Sequence, residues 1–367
     1  MSDVVEKWLK SGKFAEIGVF KLKPLEFPGL PGTLLAPSGG QAQAFYLQAE
    51  NSVDDWILKK FLPGKIPDRA YLNAIQSLVP HRPGFRAGHV RQVLSKSSLG
   101  RNGFFTPEFA SWIENTVLMS RIAGDDWQTL ADKIRNETVI PTRDQRLSWC
   151  RALSEQIAVL EASTISHRDL SAKNVFVDLP NLRTQLIDWD CIFHPTLKYP
   201  INTTIGSDGY IAPFVKHVGG GNVKATWGPH ADRFALAILE AEFLGMTKKT
   251  PLRHEGGMFE QAELSNRGGP ETASIISDLK RDFPGAALLL ERALQSRSFD
   301  ECPEPAEWLA MSSASHSSLA KAATAATRAA PAPQVSAAAA TGANSFVPLN
   351  EAAFVELDET SFVSLIN

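Results

Sequence analysis

The stretch HRDLSAKN, from His167 to Asn174, is followed closely by LIDWD, from Leu186 to Asp190. Between them lies VFVDLPNLRTQ, in which a turn-forming Pro-Asn pair separates two short runs of alternating apolar residues. This pattern predicts a hairpin that brings Asn174 close to Asp188. Two oxygen ligands that face one cavity suit Mg²⁺, which completes its coordination shell with water and phosphate oxygens.

A lone aspartate in a loop is usually a turn or capping residue, but these aspartates belong to a longer pattern. HRDLSAKN resembles the catalytic loop HRDxxxxN of eukaryotic-type protein kinases, and LIDWD occupies the place of their metal-binding DFG motif. The resemblance implies that Asp169 accepts or orients the acceptor hydroxyl and that Lys173 steadies the transferred phosphate. It also implies that Asn174 and Asp188 bind Mg²⁺, that ATP is the phosphate donor, and that Arg168 pairs with a phosphorylated activation loop.

Further motifs extend the resemblance over residues 30–311, in the order in which the family has them. GSDGYIAPF, from Gly206 to Phe214, is similar to GTPGYIAPE, and Asp232 stands at the start of the helix that follows. The layout is most similar to bacterial kinase-like proteins of the tellurium-resistance-associated and helix-hairpin-helix kinase groups. The implied fold is α+β and bilobal, with a small antiparallel-sheet lobe and a larger helical lobe.

Apolar periodicity and composition divide the chain in agreement with that fold. Short alternating runs bounded by Pro and Gly give way to helical periodicity after Ser120, and bulky apolar residues become rare after Met311. Thr142 is the predicted N-cap of the helical run that begins at Arg143. We predict an N-terminal extension, a small lobe, a large lobe, a disordered Ala/Ser/Thr/Pro linker and a tail, at residues 1–29, 30–119, 120–311, 312–344 and 345–367.

The tail carries three copies of FVxL, which begin at Phe346, Phe354 and Phe362. Apolar triplets in an otherwise polar segment are unfavourable to expose without a function, which favours a docking peptide for a protein partner. The alternative is a disordered end in which the similarity of the three copies is accidental.

The small lobe supplies the expected nucleotide contacts. WILKKF resembles the strand that carries the nucleotide-binding lysine of kinases, with Lys59 in that position. Ser38, Gly39 and Gly40 lie where kinases have a glycine-rich phosphate loop, although by themselves they indicate a simple hairpin turn. Met119 is expected beside the adenine site, or else as an ordinary core residue.

The helix after that strand, PDRAYLNAIQSL, departs from the family because its body has no acidic residue to pair with Lys59. The candidate partners are Asn73, Gln76 or a carboxylate from another part of the chain. Asp190 replaces the glycine of DFG and is a candidate for a second metal contact. The missing glutamate favours a weak enzyme or a pseudokinase.

Three hydroxyl residues near the GSDGYIAPF segment, Thr203, Thr204 and Ser207, are candidate phosphorylation sites. A phosphate on one of them could pair with Arg168 and order the loop, although each alone is more simply a turn hydroxyl. The catalytic loop combines features of serine/threonine and tyrosine kinases, so it leaves the acceptor class open.

Phe214 replaces the glutamate of the family's APE motif, and Cys302 aligns with the arginine that pairs with it. Loss of one partner would leave a buried charge uncompensated, whereas replacement of both by apolar groups can be neutral or favourable. We interpret the double replacement as one that preserves the folded core, and not as a sign that the protein has lost its function.

Composition restricts the classes of partner. A net charge of −3 gives no reason to expect nucleic acid as the main partner, and no run of eighteen apolar residues indicates a membrane span. Three cysteines without a CxxC or Cys/His cluster argue against zinc or disulfides and favour a reducing cytoplasm.

The leading hypothesis is an ATP- and Mg²⁺-dependent protein kinase of the serine/threonine class, which phosphorylates a protein substrate and itself. A nucleotide-binding pseudokinase, whose FVxL tail recruits a partner, is the first alternative. A small-molecule kinase of the aminoglycoside or choline type shares the metal residues, but GSDGYIAPF and Asp232 argue against it.

Overall fold

The computed structural model describes residues 3–51, 55–199, 205–215, 223–251 and 257–313. These residues belong to the first of two compact units, Met1–Lys321. The tail with its FVxL copies, nearly all of the linker, and the candidate phosphorylation sites Thr203 and Thr204 lie outside the described residues.

The N-terminal part combines antiparallel strands with short helices. Its strands are β1 (Ala15–Ile17), β2 (Phe20–Pro24), β3 (Glu26–Phe27), β4 (Leu30–Leu34), β5 (Ala42–Ala49), β6 (Asp55–Phe61), β7 (Arg91–Val93), β8 (Leu99–Gly103) and β9 (Val117–Ser120). Its helices are α1 (Asp3–Ser11), α2 (Arg69–Leu78), α3 (Arg86–His89) and α4 (Pro107–Trp112). Within the described residues, one curled antiparallel sheet has the order β7-β9-β6-β5-β2-β1-β8, and β3 pairs with β4 separately.

Strand β6 presents different residues to the two faces of this sheet, because successive side chains of a strand alternate in direction. Trp56 and Leu58 are buried in an apolar core on one face. Ile57 and Lys59 line a cavity on the other face. The alternation thus places the predicted nucleotide lysine at a cavity and not in the core.

Two strands ahead of position 30, β1 and β2, are part of the same sheet. β2 pairs with β5, and β1 pairs with β8, so both N-terminal strands lie inside the sheet. Val5 and Trp8 of α1 are buried in the apolar core that contains Leu58 of β6. The segment that composition set apart as an extension therefore contributes strands and core residues to the sheet.

The C-terminal part is mainly helical. Its helices are α5 (Trp127–Arg135), α6 (Arg143–Ala162), α7 (Arg233–Gly245), α8 (Gln261–Ser265), α9 (Pro270–Asp282) and α10 (Pro284–Gln295), and residues 305–313 are also helical. Three short strands, β10 (Asp125–Asp126), β11 (Val175–Asp178) and β12 (Arg183–Leu186), form a second antiparallel sheet. Among the described residues, no helix is both long enough and apolar enough to traverse a bilayer.

Two local predictions in this part are confirmed. Thr142 is the N-cap of α6, because its side chain accepts from the backbone of Gln145 while the Gln145 side chain accepts from the backbone of Thr142. The hairpin is also present, because β11 pairs with β12 and sets Val175 opposite Leu186. The α+β class of the chain follows from these elements and the N-terminal sheet.

Helix α7 forms the centre of the helical part, since every residue from Arg233 to Leu244 is buried. The carboxylate of Glu242 accepts hydrogen bonds from Trp127 Nε1 at 2.9 Å, from the Tyr210 hydroxyl at 2.9 Å and from the Met258 backbone at 2.7 Å. Buried carboxylates are tolerated when donors satisfy their oxygens in this way. Glu242 thus ties the segment around Tyr210 to the central helix.

Of the two apolar residues that replace the family's ion pair, Cys302 is buried in the apolar core and Phe214 is half-buried and packs against it. Phe214 packs edge-on against Phe299, with 4.9 Å between ring centroids. Cys302 is buried three residues after Phe299, and all three cysteines of the chain are buried and free.

The substitution Phe214→Glu should lower the free energy of unfolding by about 1 to 3 kcal/mol, because it places a carboxylate in an apolar contact without a basic partner. Phe214→Leu serves as the control. It should lower the free energy of unfolding by less, since it keeps an apolar group at this contact. Urea unfolding followed by circular dichroism measures both. An unchanged stability for Phe214→Glu would contradict the assignment of this site to the core.

Glu240 on α7 generates a prediction about pH. Burial raises the pKa of Glu240 to about 8, and the Ser154 hydroxyl that donates to it at 2.7 Å only partly opposes that shift. The folded protein therefore keeps a proton that the unfolded chain releases near pH 4.5. This contribution to stability is complete below that value and is lost as the pH rises toward about 8.

Glu240→Gln should therefore raise the melting temperature relative to the original chain at pH 8, and the difference should shrink at pH 5. Glu242→Gln is the matched comparison on the same helix and should destabilise, because an amide cannot accept from three donors at once. Scanning calorimetry at the two pH values checks both variants. A Glu240→Gln difference independent of pH would refute the assignment.

Candidate active site

A cavity of about 750 Å³ lies between the N-terminal sheet and the β11–β12 hairpin. Its lining includes most residues that the sequence singles out for nucleotide, metal and catalytic roles. These are Ser38, Gly39, Gly40, Lys59, Met119, Asp169, Lys173, Asn174, Asp188 and Ser207. The chain thus gathers side chains that are up to 169 positions apart, from Ser38 to Ser207, around one space.

Apolar residues that the sequence did not single out form other walls of the cavity. They are Ala44, Ile57, Ile122, Phe176 and Ile187. Apolar residues of this kind are indistinguishable from core residues by periodicity, so only the fold reveals that they face a cavity. Apolar walls with a few convergent polar groups are typical of small-molecule sites, and they suit a planar base.

The loop between α6 and β11 holds Asp169 and Asn174 in contact. The Asn174 amide nitrogen donates to the Asp169 backbone oxygen at 2.8 Å and lies 3.3 Å from its Oδ2. Burial and the nearby charge of Asp188 raise the pKa of Asp169 to about 6, while a hydrogen bond from Ser207 opposes the shift. A carboxylate with a raised pKa that is still ionised near neutral pH is suited to accept a proton.

Asp232 fixes this loop to the start of α7. Its two carboxylate oxygens accept from the backbone nitrogen of His167 at 2.6 Å and from that of Arg168 at 2.7 Å. The ring of His167 in turn bonds the Ile187 backbone oxygen at 2.8 Å, immediately before Asp188. One buried aspartate therefore sets the position of the loop relative to the hairpin.

Lys59 lies between two carboxylates, although the body of helix α2 has no acidic residue to pair with it. Its Nζ is 2.6 Å from Asp188 Oδ1 and 2.7 Å from Asp190 Oδ2. Asn73 and Gln76 of α2 are exposed instead. Burial by itself would lower the pKa of Lys59, but the two carboxylates outweigh it and hold that pKa above its ordinary value.

Asp190 has a second cation, Arg91, which the sequence did not indicate. Arg91 Nη2 lies 2.7 Å from Asp190 Oδ1, and both side chains are buried. Burial would raise the pKa of Asp190, whereas Lys59 and Arg91 hold it well below its usual range. Each oxygen of Asp190 thus contacts one cation, Lys59 or Arg91, in this arrangement.

Trp189, between the two aspartates, anchors their segment in the core. Its ring lies edge-on to Phe85 at 5.5 Å and to His167 at 5.1 Å. A Cβ added to Gly88 would come within 2.9 Å of the Trp189 ring and 2.6 Å of Val79. Glycine at this position is therefore required by the close approach of α3 to the tryptophan.

Arg168 faces away from the cavity, in contrast to Asp169 beside it. Its guanidinium donates to the backbone and hydroxyl oxygens of Thr226 at 2.7 and 2.8 Å and to the Cys191 backbone oxygen at 2.8 Å. It also lies 4.8 Å from the ring centroid of Trp227. The Arg168 guanidinium, which the sequence predicts to pair with a phosphorylated loop, thus bonds protein atoms in this arrangement.

Ser207 is the candidate phosphorylation site within the described residues, and it lies beside Asp169. Its hydroxyl donates to Asp169 Oδ1 at 3.2 Å. The segment that carries it continues to Tyr210, whose hydroxyl bonds Glu242 of α7. A serine hydroxyl on this segment therefore reaches the carboxylate that is expected to accept a proton.

Asn174 and Asp188 fit a magnesium ion by their chemistry. Both contribute oxygen atoms to the cavity, and the Asn174 nitrogen is turned to the Asp169 backbone, which leaves its oxygen for a cation. In the described part of the chain, no group of three or more His, Cys, Asp or Glu residues could hold a metal by itself. A site with two protein ligands suits Mg²⁺ that arrives with phosphate oxygens.

Comparison with known proteins gives one partial likeness. The chain is 32% identical over 114 residues to a probable kinase, PglW, of Streptomyces coelicolor. The matched stretch is 30% of this chain but only 7% of that protein. No protein-family model matches the chain. The likeness is that of part of this chain to part of a probable kinase.

The position of Asp232 generates a prediction about stability. Asp232→Ala removes the acceptor of two buried backbone N–H groups, and each such group costs about 1 to 3 kcal/mol when it is left without a partner. We expect a loss of about 2 to 6 kcal/mol in the free energy of unfolding, measured by urea titration.

Asp278→Ala is the control for that measurement, because Asp278 pairs with Arg281 on the exposed surface of α9. Asp278→Ala should lower the free energy of unfolding by no more than about 0.5 kcal/mol. Equal effects of the two substitutions would show that Asp232 does not hold the loop.

Proposed function

We propose that this chain is an ATP- and Mg²⁺-dependent protein kinase with a bilobal, protein-kinase-like arrangement. The observation that carries the proposal is the convergence of Lys59, Asp169, Asn174 and Asp188 on one cavity. The partial likeness to a probable kinase supports the same class of reaction.

The roles follow from the chemistry of each group. The Lys59 ammonium would bind the nucleotide phosphates, and the apolar walls would hold the base. Asn174 and Asp188 would hold Mg²⁺, which reduces charge repulsion at the transferred phosphate. Asp169 would take the proton of the acceptor hydroxyl. The hydroxyl oxygen bonds to the terminal phosphorus of ATP, and the bond between that phosphorus and the ADP leaving group breaks.

The finer assignments remain proposals of the same kind. We infer a serine/threonine acceptor because the Ser207 hydroxyl already reaches Asp169 at 3.2 Å. Ser207, Thr203 and Thr204 are the proposed autophosphorylation sites in the loop. A protein substrate, a partner for the FVxL tail, a cytoplasmic location and a place among the bacterial kinase-like groups named above complete the proposal.

The pseudokinase alternative loses one of its two supports. It gained from helix α2, which offers no glutamate to Lys59, and from the poor match of residues 38–40 to the family's glycine-rich loop. Lys59 nevertheless contacts Asp188 and Asp190. A lysine held by carboxylates keeps a defined position for phosphate contact, whichever element supplies them.

The test is mass spectrometry of the purified chain before and after incubation with ATP and Mg²⁺. The original chain should gain phosphate, in mass steps of one phosphoryl group, while Asp169→Ala and Asp188→Ala should lose at least about a hundredfold in rate, since they remove the base and a metal ligand. The control is Asp178→Ala, because the Asp178 carboxylate bonds to Asn181 in its own turn and does not line the cavity. Phosphate gain by Asp169→Ala at the original rate would reject the proposed mechanism.

A further inference from the structure

Lys59 contacts the carboxylate of Asp190, which belongs neither to helix α2 nor to the candidate metal ligands Asn174 and Asp188. We propose that Asp190, held in place by Arg91, is the positioning residue that keeps Lys59 directed at the nucleotide phosphates while Asp188 binds the metal. This inference rests on the proposed function. It assigns the carboxylate that orients Lys59 to the segment after the β11–β12 hairpin and not to helix α2. The contacts, burial and charge of the three residues carry it.

The two aspartates beside Lys59 differ in exposure and in partners. The Asp188 side chain is 38% exposed and lines the cavity, where a metal ion has access to it. The Asp190 side chain is 3% exposed and has one oxygen on Lys59 and the other on Arg91. Only Asp188 is therefore open to a metal, and only Asp190 is enclosed by cations.

Charge decides how this arrangement responds to a nucleotide. A divalent cation at Asp188 competes with the Lys59 ammonium for the same carboxylate, because two cations on one oxygen repel each other. Asp190 keeps its contact, since it is buried and its negative charge is compensated by Arg91. Lys59 then has one carboxylate behind it and phosphate oxygens in front of it.

The backbone around Asp190 is held from several sides. Tyr71 of α2 donates through its hydroxyl to the Ile192 backbone oxygen at 2.8 Å, and Arg168 donates to the Cys191 backbone oxygen. Trp189 is buried against Phe85. Since the short helix Trp189–Cys191 is packed in this way, Asp190 presents its carboxylate without any contribution from an acidic residue of α2.

The consequence is a lysine that is positioned by the same segment as the metal ligand. Asp188 and Asp190 are two residues apart in one packed segment, so a rigid displacement of that segment moves both carboxylates. A displacement of α2 that leaves this segment in place should not separate Lys59 from its carboxylate. The small-lobe helix thus loses the switching role that an acidic residue on it would confer.

A double-mutant cycle between Lys59 and Asp190 tests the inference on ATP affinity. Calorimetry with ATP and Mg²⁺ is performed on the original chain, Asp190→Asn, Lys59→Met and the double variant. Asp190→Asn should weaken ATP binding about tenfold or more, because the Lys59 ammonium loses a close, buried carboxylate. In the Lys59→Met background the same substitution should change affinity less than about twofold, because the residue through which Asp190 acts is gone.

Equal weakening in both backgrounds overturns the inference, because it shows an effect that does not pass through Lys59. A second variant guards against misfolding. Asp190→Asn combined with Arg91→Met removes the excess buried cation together with the carboxylate, which is better tolerated than removal of one partner. Its ATP affinity should match that of Asp190→Asn, and a return to the original affinity also overturns the inference.

A magnesium titration separates a positioning residue from a metal ligand. Asp188→Asn should raise the Mg²⁺ concentration for half-maximal ATP binding, whereas Asp190→Asn should leave it within about twofold, since only Asp188 is a hard oxygen ligand open to the ion. A shift of that concentration for Asp190→Asn as large as for Asp188→Asn overturns the inference and assigns Asp190 to the metal. Asp178→Asn is the matched control on the same hairpin.

The two proposals fail in different ways. Phosphate transfer with no coupling between Lys59 and Asp190 rejects the positioning role and leaves the kinase in place. Coupled ATP binding without phosphate transfer supports the positioning role and rejects the kinase. Absence of ATP binding by the original chain overturns both.

Discussion

The carboxylate of Asp190, buried between Lys59 and Arg91, joins the two halves of the cavity. Lys59 lies on β6 and Arg91 on β7, two strands separated by β9, while Asp190 follows the β11–β12 hairpin. A buried pair that loses one partner costs about 3 to 5 kcal/mol, so this junction strongly favours one arrangement of sheet and hairpin. The convergence of nucleotide, metal and catalytic candidates on one cavity depends on that arrangement.

The opposite side of the cavity is fixed by helix α7. Asp232 at its start holds the backbone of the loop that carries Asp169, and Glu242 near its end holds the segment of Tyr210. Both carboxylates are buried and accept from several donors, which is the condition for a charge-bearing group in a core. The loop with Asp169 and the segment with Ser207 are therefore placed by one helix, and their contact follows from it.

Much of the local structure was predictable from the sequence, whereas the electrostatic pairing was not. The cap at Thr142 and the β11–β12 hairpin follow from short patterns, because a cap and a turn involve residues only a few positions apart. The pair of Asp190 and Arg91 joins residues 99 positions apart, and nothing in either local pattern indicates it. The engagement of Arg168 by Thr226 was missed for the same reason, and the strands before residue 30 were missed because β1 and β2 are short.

The position of β1 and β2 inside the sheet has a practical meaning for work with fragments of this chain. β2 covers the edge of β5, and β1 covers the edge of β8. A fragment that begins at residue 30 would expose the hydrogen-bonding groups of both strands, and exposed strand edges promote aggregation. Insolubility of such a fragment would therefore report a missing piece of the sheet, and an expression strategy has to retain the first helix and the two strands that follow it.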